Sequence, residues 1–153
     1  MAGFVIRRDD RNKGSTMLQT SSIAVAVGDL LELVPGAAAW TLCTTGSTNT
    51  SRKAISTGRI TTSGTEVEAV ILDGLELVEA TVDNAASASH DGDSMILGTA
   101  TTGAMTVNNT GTTVASTETE QVFVQYKPTT GTSTTQVLGW IQVGNGVLQT
   151  AST

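Results

Sequence analysis

Apolar residues in this chain come in short alternating runs, each cut off by turn formers before it reaches helical length. Ile23, Val25 and Val27 alternate with small alanines, and Gly28-Asp29 closes that run. Leu30 to Val34 resumes at once, and Pro35-Gly36 stops it. A period of two puts one side of each run on a buried face, and the glycines supply the turns between runs. The same pattern reads as strands over Trp40 to Thr44 and from Lys53 to Ile60. A surface loop lies between them at Thr45 to Ser51, and a turn follows over Thr61 to Thr65 around Gly64. Beyond a small-residue loop from Asn84 to Asp93, short strands are expected at Ser94 to Thr99, Met105 to Asn108, Thr112 to Ala115, Val122 to Tyr126, Gln136 to Val143 and Val147 to Gln149.

The segment from Glu66 to Val82 reads less simply. Asp73-Gly74 between two apolar runs is a two-residue hairpin signal. A strict two-residue turn pairs Glu68 with Glu79, however, and facing like charges disfavour that register. A helix is also compatible with Val67, Val70, Ile71, Leu75 and Val78, although Gly74 in mid-helix costs about 1 kcal/mol against alanine. Two strands, with room for a bulge, are the expectation.

Composition supports strands. The 153 residues include 28 threonines and 16 glycines but two prolines. Threonine is β-branched and suits a pleated, half-exposed surface. A chain of this length buries roughly 70% of its unfolded surface, enough for one core without staples. The expected fold is all-β: a single small β-barrel or β-sandwich over residues 22–153, preceded by an extended N-terminal arm over 1–21. Cys43, the sole cysteine, forms no intrachain disulfide and reads as a small core hydrophobe.

Charge is unevenly spread. Arg7, Arg8, Arg11 and Lys13 crowd the first thirteen positions, whereas ten carboxylates and one base, Lys127, lie beyond Arg59. An acidic body repels nucleic acid and anionic membrane. No apolar run approaches the ~20 residues that span a bilayer as a helix. The start, with charges after a short apolar triplet, is the reverse of a secretory signal, so the expectation is a protein made and used without export.

A search for reactive groups yields little. His90 is the single histidine, in the loop Ala88-Ser89-His90-Asp91-Gly92-Asp93, and reads as a loop residue rather than part of a triad. One His and one Cys do not close a zinc site. Asp83, Asp91 and Asp93 lack the spacing of a calcium loop. Glu118 and Glu120 share one face of an extended segment and read as a solvated strand edge. Phosphate-cradling glycine motifs are absent. Trp40 and Trp140 have apolar neighbours and read as core anchors. The expectation is a non-enzymatic protein with no cofactor, no metal and no small-molecule substrate.

The best candidate for partner binding is the arm. Phe4, Val5 and Ile6 form a short apolar plug, and Arg7, Arg8, Arg11 and Lys13 follow among aspartates. Such a segment can add a strand or a charge-paired strap to a neighbouring subunit.

The early arm, Met1 to Gly14, the turn and strand Gly28-Asp29-Leu30-Leu31-Glu32-Leu33, and the Thr/Gly-separated strands from Gly92 to Val143 together resemble the capsid decoration (cement) proteins of tailed bacteriophages. The likeness covers most of the chain as a style rather than a residue motif, so it carries no functional positions across. It implies a virion protein on the outer capsid surface, made in the host cytoplasm. Its implied partners are the major capsid protein and copies of itself, often as a homotrimer, with an arm reaching between subunits. Other phage structural subunits (tail tube or fibre) and a secreted β-sandwich binding module are the alternatives.

Overall fold

The alternating runs fold as strands. The computed structural model describes residues 3–8, 14–109, 120–129 and 135–144. Among these, helix is confined to short 3-10 turns such as Ala88–His90, and the protein is all-β. The strands are β1 (Phe4–Arg8), β2 (Thr16–Val25), β3 (Leu30–Val34), β4 (Ala39–Leu42), β5 (Lys53–Ser56) and β6 (Ile60–Ile71). They continue with β7 (Leu77–Thr81), β8 (Ser94–Met95), β9 (Leu97–Thr99), β10 (Thr106–Val107), β11 (Phe123–Pro128) and β12 (Gln136–Ile141). The strands expected at 112–115 and 147–149 lie outside the described residues.

Two assemblies share the chain. Strands β2-β4-β3-β5-β6 close into a barrel, and β1-β7-β12-β11-β8 form an open five-stranded sheet, with β9 and β10 as a separate pair. The barrel has its own interior, which includes Leu31, Trp40, Ala54 and Val67. A second core lies between barrel and sheet and gathers Phe4, Leu30, Ile55, Val78, Phe123 and Ile141 among others. Neighbours in sequence therefore serve different cores: Leu31 and Ala54 point into the barrel, Leu30 and Ile55 toward the sheet. Strand β5 is buried along its whole length, as befits a wall covered on both faces.

Asp29 ties the barrel to the loop between β9 and β10. Gly28 has a φ of +92°, a left-handed turn that a side chain would strain. The Asp29 carboxylate that follows is fully buried. It accepts the Ala26 amide at 2.8 Å, the Gly103 amide at 2.9 Å and the Thr102 hydroxyl. Together these bonds satisfy a carboxylate that burial would otherwise leave unpaired.

Several expectations differ from this structure. The turn around Gly64 is not there: β6 runs unbroken from Ile60 to Ile71, and the register against β2 shifts on either side of the Ile23–Gly64 pair. Glycine inside a strand often marks such an irregularity. Asp73-Gly74 does turn, with the Glu76 carboxylate accepting both amides, at 3.1 Å and 3.2 Å. The strands it joins do not pair as a hairpin, however; β6 belongs to the barrel and β7 pairs with β1 and β12. That arrangement keeps Glu68 and Glu79 apart. Finally, the boundary drawn at residue 21 falls inside β2, and β1 is a strand of the chain's own sheet rather than a free arm. The reason is Phe4, 1% exposed in the core between barrel and sheet, where it gains more than it would in water.

Candidate functional site

Strand β1 brings the residues marked for partner binding to one edge of the sheet. It pairs antiparallel with β7, Phe4 opposite Ala80, Val5 opposite Glu79 and Ile6 opposite Val78. Its first residues cross the Gly28 turn: the Phe4 amide donates to the Gly28 carbonyl at 2.8 Å, and the Gly3 amide to that of Met105 at 3.0 Å. The Phe4 amide thus points away from β7, and alternation turns the Ile6 amide the same way. Among the described residues no further strand follows β1 in the sheet order, so beyond the Gly28 contact this edge is open. Beside it runs an apolar groove of 330 Å³ lined by Val5, Ile6, Val27, Ile55 and Val70. Val27 is 54% exposed there.

The basic residues of the segment part company. Arg7 pairs with Glu79 on β7 at 2.6 Å. A bulge between Ile6 and Arg8 sends Arg8 to the outer face of the sheet, opposite Leu77. Arg11 and Lys13 lie outside the described residues.

That outer face is the second notable surface. On β12, Val137, Gly139 and Ile141 are buried, so Leu138 and Trp140 fall on the other side. Trp140 is half-buried rather than a core anchor, which corrects the sequence reading; Trp40, in the barrel interior, fits it. A bulge in β11 between Gln125 and Lys127 turns Tyr126 outward. The Tyr126 and Trp140 rings stand 5.4 Å apart at 49°, and the Lys127 ammonium lies 5.3 Å from the Tyr126 ring centre. With Arg8, Leu75 and Leu77 these rings line a shallow concavity of 390 Å³. Leu75 is 65% exposed. Sequence reasoning missed Leu75, Tyr126 and the outward Trp140, although the strict alternation of Val137, Gly139 and Ile141 carried the signal for the last.

The polar groups of the interior are committed to structure. Glu32 and Lys53 face each other across β3 and β5. The Lys53 ammonium donates to the Thr48 carbonyl at 2.6 Å, the Ser51 carbonyl at 3.0 Å and the Ser51 hydroxyl at 2.6 Å. Glu32 accepts from the Ser51 hydroxyl at 3.1 Å and from Ser47. Together they pin the loop from Thr44 to Arg52 over the end of the barrel. Burial pulls the Lys53 ammonium below its ordinary range, with Cys43 and Glu32 opposing. Burial first, and then Glu32, push the Cys43 thiol up to about 12, so it stays protonated and a poor nucleophile.

Nor do the loop residues converge. His90 is half-buried, its Nδ1 3.2 Å from the Asp93 carboxylate. Asp91 accepts from the Gln125 side-chain amide at 2.9 Å, and Asp83 from the Thr106 hydroxyl. Each carboxylate has its own partner, and among the described residues no three His, Cys, Asp or Glu side chains gather as a metal site. Glu120 is half-buried, and Glu118 lies outside the described residues.

No protein-family model matches the chain, and neither does any curated protein or solved structure.

Proposed function

We propose that this chain is a structural virion subunit, a decoration protein that binds the outer surface of a capsid and bridges neighbouring shell subunits. The observation that carries the reading is the open edge of β1 beside the apolar groove of Val5, Ile6 and Val27. An extended shell segment added there gains main-chain bonds from the edge, while the groove receives every second side chain. Phe4, plugged into the core, anchors the edge, and Arg7 braces it through Glu79. Binding the assembled shell alone stabilises it by mass action. The non-catalytic part of the reading is supported by a buried, protonated thiol and by loop carboxylates that each serve a separate bond.

The test is co-sedimentation of the purified chain with assembled shells from its virion, wild type against Val27→Glu. A charge in the apolar groove is expected to weaken occupancy by about tenfold or more, since it must be desolvated on binding. Unchanged occupancy removes the groove from the reading, and absence of the chain from purified particles removes the function.

The outward-facing pair of Tyr126 and Trp140 favours a second reading, a β-sandwich binding module. Sugars stack on such rings, and titration against a glycan panel separates the two.

A further inference from the structure

We propose that the chain associates head to tail with further copies of itself, the aromatic outer face of the five-stranded sheet of one copy seating on the Met17 face of the next copy's barrel. This contact is separate from the β1 groove assigned above to a shell, so either can fail without the other.

The two faces are complementary in side-chain chemistry and in charge. Large apolar side chains exposed among the described residues are few: Met17, Val27, Leu75 and Tyr126. Leu75 and Tyr126 share the concavity with Leu77 and Trp140, and Lys127 caps the Tyr126 ring. Met17, 59% exposed, stands on the outer wall of the barrel. On that wall Met17 pairs with Glu68 across β2 and β6, and Gln19 pairs with Glu66 two positions on. Gln19 donates to Glu66 at 3.1 Å, and the Thr57 hydroxyl bonds Glu68 at 3.5 Å. Among the described residues neither carboxylate has an ion-pair partner. One face therefore offers a flexible thioether beside two acids, and the other an aromatic hollow with a lysine at its rim. Thioethers pack favourably against ring edges, and Lys127 meets Glu66 or Glu68.

Charge argues for this pairing over others. The chain carries a net charge of -6, so two copies repel unless opposite patches meet. Because the patches lie on different sheets, the contact is heterologous and each bound pair keeps one free patch of each kind. Such contacts propagate into a ring or an open stack.

Charge reversal tests the proposal without touching either core. Sedimentation velocity of the full chain in low salt is expected to show mass rising with concentration. Lys127→Glu alone, and the Glu66→Lys, Glu68→Lys double variant alone, are each expected to weaken association by about tenfold or more. An equimolar mixture of the two is expected to recover it, because each variant then presents the charge that the other lacks. Circular dichroism confirms that both remain folded. A wild type that stays monomeric at every concentration, variants that associate as wild type does, or a mixture that fails to recover would each overturn the proposal.

Discussion

Replacing Phe4 by alanine tests whether β1 belongs to the body of the protein. The ring is 1% exposed in the core between barrel and sheet. A fully buried phenylalanine hides roughly 150–250 Å², worth about 4–6 kcal/mol at ~25 cal/mol per Å². Alanine keeps a fraction of that, and an edge strand relaxes more readily than a central one, so the expected loss is about 3–4 kcal/mol. Typical domains are stable by ~5–15 kcal/mol, so the variant still folds. At roughly 2–4 °C per kcal/mol for a chain of this size, its Tm falls by about 10 °C. Urea unfolding reads the loss directly, and its slope adds a second fact. An unchanged slope means that β1 stays docked, whereas a shallower one means that β1 has already come away in the native state. Arg7→Ala is the control: its ion pair with Glu79 is half-exposed on the Arg7 side, and its loss costs under ~1 kcal/mol. If Phe4→Ala cost no more than that control, β1 would be an appendage, and the account of the sheet edge given above would be wrong.

Two further perturbations probe the interior. A Cβ at Gly139 would overlap the Val124 carbonyl oxygen and the Phe123 ring, both fixed by the sheet and its core. Gly139→Ala is therefore expected to lose about 3 kcal/mol or more, measured by thermal denaturation. The Cys43 thiol has a folded pKa of about 12 against an ordinary 9.0. The unfolded chain loses this proton first, so the stability that the buried thiol contributes is present below pH 9 and lost as pH rises toward about 12. Comparing wild type with Cys43→Ala across that range checks the sign, because the variant keeps Lys53 and removes only the thiol. Alkylation of the native protein at pH 8 is expected to be slow and to accelerate on unfolding.

Strand content was legible because local pattern decides it. Leu30 to Val34 lies between two glycine turns and folds as β3 over those residues. Partner choice was not legible, since it depends on distant residues. Asp73-Gly74 has the residues of a hairpin turn, yet Val78 and Ala80 bury their side chains by joining β1 and β12. The position of Phe4 shows the same limit: an apolar triplet at a chain end looks alike whether it plugs its own core or a neighbour's. Lys53 hid for another reason. A lysine at the start of a strand reads as solvated, and only the fold brings the carbonyls of Thr48 and Ser51 around its ammonium. Of the candidate surfaces, the sequence pointed to the residues of β1 but not to the edge they make. The aromatic hollow depends on two bulges that no local pattern announces.

Strands β3 and β5 stand as a party wall between two rooms, each room furnished in part by alternate residues of these same two strands. Stripping away the sheet would leave Leu30 and Ile55 bare on the barrel's flank, and opening the barrel would strand Leu31 and Ala54. Neither half has a shell of its own to retreat into. The molecule should therefore melt in one step, and any rearrangement of its gene that moved one half without the other would yield a fragment prone to clump rather than a smaller working part.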